Sequence, residues 1–150
     1  MIHMSNFQAS KSHIHIISRG LLMNREKIIL CRVKGAKCFF LPGGHVEDGE
    51  SARAALLREL REEIGHSDYK ITSFVGVCEN IFPLEKNIRQ HEMNIVFKVN
   101  IPDNIETTTK EDHIEFVNIN KEDLRNYKIL PTTLKEGLIE WLEDEKPFLK

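Results

Sequence analysis

Cysteine is scarce in this chain. Its 150 residues hold three, Cys31, Cys38 and Cys78, an odd number with wide spacing and no CxxC pair. That argues against a disulfide scaffold or a cysteine-built zinc site and fits reduced thiols. A basic excess is missing too: 21 Lys and Arg face 23 Asp and Glu, for a formal net charge of −2. General nucleic-acid binders usually carry a basic face, so no nucleic-acid partner is expected. No apolar run approaches the ~18 residues that signal a membrane span. The opening stretch MIHMSNFQASKSHIHIISRG has no apolar core of a secretory signal. These absences predict a cytoplasmic protein without a membrane partner. With no repeats and no low-complexity linker, residues 1–150 read as a single domain. A chain of that length buries about two-thirds of its unfolded surface.

What is present is an alternation of short patterned segments. Residues 13–22 contain a β-branched apolar run, with His13 and His15 on its polar side. Residues 27–33 (KIILCRV) read as a strand after a turn at Asn24-Arg25-Glu26. Residues 38–41 read as a short strand stopped by Pro42-Gly43-Gly44. Residues 70–82 and 93–101 read as two longer strands, with the polar PLEKNIRQHE between them as a hairpin loop. A polar loop over 102–112 precedes a further strand over 113–119. Pro131 suits a first helical turn, ahead of Leu134, Leu138, Trp141 and Leu142, the apolar stripe of a C-terminal helix. Strands surrounding two helices predict an α/β sandwich with a mixed sheet.

The second helix is the segment from Gly44 to Gly65, GHVEDGESARAALLRELREEIG. Leu56, Leu60 and Ile64 form a stripe that docks on a core. Ser51 or Asp48 would cap its start, and Gly65 would end it in a left-handed cap. Ala52 and Ala55 project one to two turns before Glu59, where short side chains would leave space for a ligand. Glu59, Glu62 and Glu63 share one face. Like charges at these spacings destabilise a helix by roughly 0.2–0.5 kcal/mol per pair. The bland reading is a solvated face laced with Arg53, Arg58 and Arg61. The sharper one is a divalent cation, since hard cations take carboxylate oxygens and share them with phosphates. The glycine turn ahead of the helix favours the second.

Gly44, Glu50, Arg58-Glu59-Leu60, Glu62-Glu63 and Gly65, in that spacing, resemble the signature of the Nudix hydrolases. The one departure is His66, where the family usually has an aliphatic residue. The match covers about a seventh of the chain. It implies a Nudix-type α/β/α sandwich with a central mixed β-sheet, and hydrolysis of a diphosphate linkage with Mg²⁺, or Mn²⁺ in its place. By the same resemblance Glu59, Glu62, Glu63 and the carbonyl of Gly43 would hold metal. Arg58 would orient a catalytic glutamate through a charge-assisted hydrogen bond, a task for which its planar fork suits it better than lysine. Glu62 or Glu63 would help activate water, and Glu50 would orient the helix or make an outer contact.

Bound cations neutralise the diphosphate, lower the pKa of a bound water and align it for attack. A further carboxylate must take the proton. In many relatives that base lies in a loop before the last strands, which here is KEDHIEF. Glu111 is the first choice, ahead of Asp112 and Glu115, with Glu92 a further candidate. Phe39, Phe40 and Phe82 read as core residues, with Phe40 and Phe82 the candidates to stack on a base. Pro83 lies 17 positions after His66 (83 − 66), close to a proline spacing of the ADP-ribose-cleaving members. The expected partner is thus a small nucleotide, a nucleoside diphosphate linked to a sugar such as ADP-ribose. The alternatives are a nucleoside triphosphate pyrophosphohydrolase and, from another class, a non-catalytic nucleotide sensor. A homodimer is compatible with the sequence.

Overall fold

The computed structural model describes residues 13–65, 68–103 and 110–150, so the departure at His66 lies outside the described residues. Among these, seven strands form one sheet: β1 (Ile14–Asn24), β2 (Lys27–Val33), β3 (Gly43–His45), β4 (Lys70–Glu85), β5 (Ile88–Asn100), β6 (Ile114–Asn120) and β7 (Phe148–Leu149). The order is β6-β2-β1-β5-β4-β7, with β3 paired to β1. Pairing of β1 with β5 and of β4 with β7 is parallel and the other ladders are antiparallel, so the sheet is mixed, as expected.

Two helices cover the two faces. The first, α1 (Ala52–Glu63), buries Leu56 and Leu60 against Leu22, Ile29, Phe97 and Val99. The second, α2 (Thr132–Asp144), buries Leu134, Leu138 and Trp141 against Leu21, Leu30, Val75 and Val96. Leu56 and Leu60 are 0% exposed, and burying each stabilises by roughly 1.5–3 kcal/mol. Ser51 is the cap of α1: its hydroxyl accepts from the Ala54 amide at 3.1 Å. Such a cap contributes about 1 kcal/mol. Beyond the helix Gly65 has φ +87°, a left-handed turn that glycine takes without steric cost.

Three sequence expectations change. The ten-residue hairpin loop shrinks to the turn at Lys86-Asn87, because β4 and β5 stay paired out to Glu85↔Ile88. Polarity misled there, since a two-stranded ribbon beyond the core has solvent on its faces and tolerates polar side chains. Residues 38–41 form isolated bridges, Cys31↔Phe40 and Phe39↔Ile129, instead of a strand. Ala55 leaves no ligand space, since it is buried in the core, and the Ala52 carbonyl accepts from the Ser18 hydroxyl at 2.7 Å. Their small size lets α1 lie close on β1.

The opening that becomes the site comes from strand divergence. β1 pairs with β2 only at Leu22 to Asn24. Above that point the two separate, and the chain from Phe39 to His45 fills the gap, with the Gly20 amide on the Pro42 carbonyl and Cys31 exchanging both backbone bonds with Phe40, each at 2.9 Å. The gap therefore delivers the glycine turn directly to the start of α1.

Candidate active site

Two glycines bring the α1 carboxylates against backbone. Gly43 has φ +138°, and a Cβ there would lie 2.0 Å from the Ser18 carbonyl oxygen, so only glycine fits. Its amide donates to the Glu63 carboxylate. At Gly44 a Cβ would lie 2.3 Å from the Glu59 carboxyl carbon. Here conformation is ordinary and space decides: the missing side chain is the seat of Glu59.

Arg58 ties this seat together. Its Nε and Nη2 donate to the two oxygens of Glu50 at 2.9 and 3.0 Å, its Nη1 to Glu59 at 2.8 Å, and its Nη2 to the His45 carbonyl at 3.0 Å. The guanidinium holds Glu50 below the usual carboxylate range, and Glu50 and Glu59 push Arg58 above its own. Glu50 thus orients Arg58, which in turn orients Glu59. Bidentate pairing of this kind fixes direction as well as energy.

Arg58 pairs with Glu50, Glu59 and Glu62 but not, among the described contacts, with Glu63. Burial pushes its carboxyl up to about 7, and the charges of Glu59 and Glu111 add to the rise against the Gly43 amide and Arg19. Glu63 and Glu111 line a cavity of about 90 Å³ with Cys31, Phe40, Ile114 and Phe116. Pockets for small-molecule ligands run to roughly 300–1,000 Å³, so this one is too small to enclose a nucleotide. Glu63 and Glu111 are the two charged groups in an otherwise apolar lining, and crowded carboxylates suit a hard divalent cation. Among the described residues no three His, Cys, Asp or Glu side chains group closely enough to hold an ion by themselves.

The other candidates disperse. Glu62 points outward, its side chain 60% exposed and 3.6 Å from Arg58. Glu115 pairs with Arg32 on β2, and Asp112 is exposed. Glu92 is half-buried on β5 and accepts from Gln90 at 3.4 Å. Phe40 lines the cavity, whereas Phe82 lies on the distal part of β4 opposite Gln90. Pro83 is in that ribbon too, opposite Arg89.

Two residues were overlooked in the sequence. Arg19 donates to the Asn94 side chain at 3.3 Å and to the Leu41 carbonyl at 3.1 Å. Burial lowers its pKa, opposed by Glu92, Glu63 and Glu59. The signal was a charge inside the apolar run IISRGLLM. Cys31 lines the cavity, and burial and the charge of Glu63 push its thiol upward; nothing in KIILCRV separates it from an ordinary core cysteine.

The class defined by this fold and glutamate-bearing helix is the Nudix domain. The model of that domain matches residues 14–143, and the chain belongs to the Nudix family. Members of the family generally use divalent metal ions. The chain is similar to ADP-ribose pyrophosphatase of Methanocaldococcus jannaschii, 34% identical over 92 residues that cover 59% of this chain and 52% of that protein. It is similar to ADP-sugar pyrophosphatase of Mus musculus, 31% identical over 120 residues covering 75% and 53%. It thus spans about half the length of both curated relatives. The crystal structure of the MutT protein from Methanosarcina mazei Go1 shares the fold, with TM-score 0.69 and 21% identity over 92% of this chain and 99% of that one.

Proposed function

We propose that this chain hydrolyses the diphosphate linkage of a nucleoside diphosphate joined to another group, ADP-ribose or a nucleotide sugar, in a reaction that needs Mg²⁺ or, as a substitute, Mn²⁺. The carrying observation is Glu63, half-buried, with its carboxyl raised to about 7 next to Glu59 and Glu111. Such a carboxylate ionises at neutral pH once a cation offsets its neighbours. The names of the two curated relatives support the substrate class.

Glu59 and Glu63 would hold the cation, with Glu62 joining from the solvent side and the Gly43 carbonyl beside them. Bound there, a divalent ion neutralises phosphate charge and acidifies water. Arg58 keeps Glu59 aimed at the seat on Gly44. Glu111 takes the proton of the attacking water from across the cavity, and Phe40 forms an apolar wall against the non-reacting part of the substrate. Phe82 reaches only a substrate that extends along the β4–β5 ribbon. We read residues 1–150 as a single Nudix domain acting in the cytoplasm on a small nucleotide and not on nucleic acid. A homodimer would use the exposed Ile14, Ile16 and Ile81.

The test is kcat/KM for ADP-ribose and a nucleotide sugar against nucleoside triphosphates, with products separated by chromatography. Two monophosphates from the first group are expected. A tenfold preference for a triphosphate with release of pyrophosphate would replace the substrate class. Nucleotide binding with no turnover in either metal would make the chain a sensor.

A further inference from the structure

Among the described residues a main-chain hydrogen bond joins the two halves of this site. The Lys110 amide donates to the Glu63 carbonyl at 3.0 Å. That carbonyl belongs to the last turn of α1, where helix geometry leaves C=O groups without a partner. The residue after Lys110 is Glu111, and the residue bearing the carbonyl is Glu63; their side chains line the same cavity. A second feature guards the contact. Gly65 turns the chain away with φ +87°, and its bare α-carbon lies under the Lys110 stem, where a Cβ would come within 2.6 Å of Cε. Beyond it the Ile114 amide returns to the Glu111 carbonyl at 3.1 Å, so Glu111 is held between two backbone bonds.

We infer that Lys110 is a positioning residue: through its backbone N–H it clamps the Glu111 segment to the end of α1 and fixes the distance between Glu111 and the Glu63 carboxylate. The inference rests on the reading of Glu111 as the proton acceptor. A helix end is a rigid anchor, and an error of 1 Å in a catalytic group costs up to ~100-fold in rate. One bond between the segment and α1 makes the metal-bearing residue and the base a single unit. Sequence could not reveal this, since positions 63 and 110 are 47 apart (110 − 63) and a backbone amide carries no residue signature.

The test replaces the residue 110 amide by an ester, using the α-hydroxy acid of lysine, which deletes the N–H and leaves every side chain in place. It is made in the unaltered chain and in Glu111→Gln, with single-turnover rates, KM and the exchange rate of the residue 110 amide measured. Slow exchange of that amide in the unaltered chain is expected. The ester should lower kcat about tenfold with KM unchanged in the unaltered chain, and should have no further effect in Glu111→Gln. Fast exchange, an unchanged kcat, or an equal loss in both backgrounds would each overturn the clamp. A silent Glu111→Gln with a slowly exchanging amide would instead overturn the choice of base, and the positioning role with it.

Discussion

Glu63 meets burial, Glu59 and Glu111 together, and its carboxyl stands at about 7 against an ordinary 4.5. Between those values the unfolded chain has lost a proton that the native chain keeps, so this group makes stability fall as pH rises. Its stabilising effect is complete below about 4.5 and gone above about 7. Metal-free protein should therefore lose melting temperature from pH 5 to 7.5, and Glu63→Gln should flatten that slope. Thermal scans in EDTA measure it, and identical slopes for the two proteins would count against the charge crowding. In activity assays with Mg²⁺, Glu63→Gln should cost at least ~100-fold in kcat, as loss of a transition-state electrostatic contact does. Exposed Glu62 should cost less on the same change.

At the scale of the element, α1 is held in register by Arg58 and by the absence of a side chain at Gly44. Gly44→Ala would push a methyl into the Glu59 carboxylate, 2.3 Å away, without backbone strain. Metal affinity should fall roughly 10–100-fold, the usual effect of disturbing a group that orients a ligand, while the melting temperature hardly moves. Calorimetric titration with Mn²⁺ decides it; an unchanged affinity would remove Glu59 from the site. Arg58→Lys keeps the charge but cannot reach Glu50 twice, Glu59 and the His45 carbonyl together. It should lower kcat at least tenfold, where a mere surface pair would change little.

Across the whole molecule, the two faces of the sheet separate the proposed site from the supporting core. On the α2 side Phe148 packs its ring onto Gly137 and Gly76, and a Cβ at Gly137 would sit 2.6 Å from the ring. Gly137→Ala should destabilise by about 1–3 kcal/mol, the range for overpacking, with KM unaltered; chemical denaturation and steady-state kinetics test the two parts. On the α1 side, a cation held by Glu59 and Glu63 as proposed would couple ligation to folding. A divalent ion at 100 times its dissociation constant should add about 2.7 kcal/mol, and the gain should grow from pH 5 to 7.5 as Glu63 gives up its proton. A metal-independent melting curve at pH 7.5 would sink the linkage.

The sequence by itself determined what is local. The apolar stripe of Leu56, Leu60 and Ile64, the Ser51 cap, the left-handed Gly65 and the spacing of the glutamates are read at separations of a few residues, where helix geometry ties position to direction. That is why α1, α2, most strands and the family were legible. Tertiary structure decided what depends on residues far apart. Pairing out to Glu85↔Ile88 overrode the polarity of the ribbon, since a strand's partner satisfies its backbone whatever its side chains are. Burial set Glu63 apart from Glu62, adjacent on one helix and chemically identical. The divergence of β1 from β2 put Arg19 and Cys31 near the Glu63 carboxylate, 44 and 32 positions away in the chain (63 − 19 and 63 − 31). Charge and desolvation act through space, and only the folded chain sets those distances.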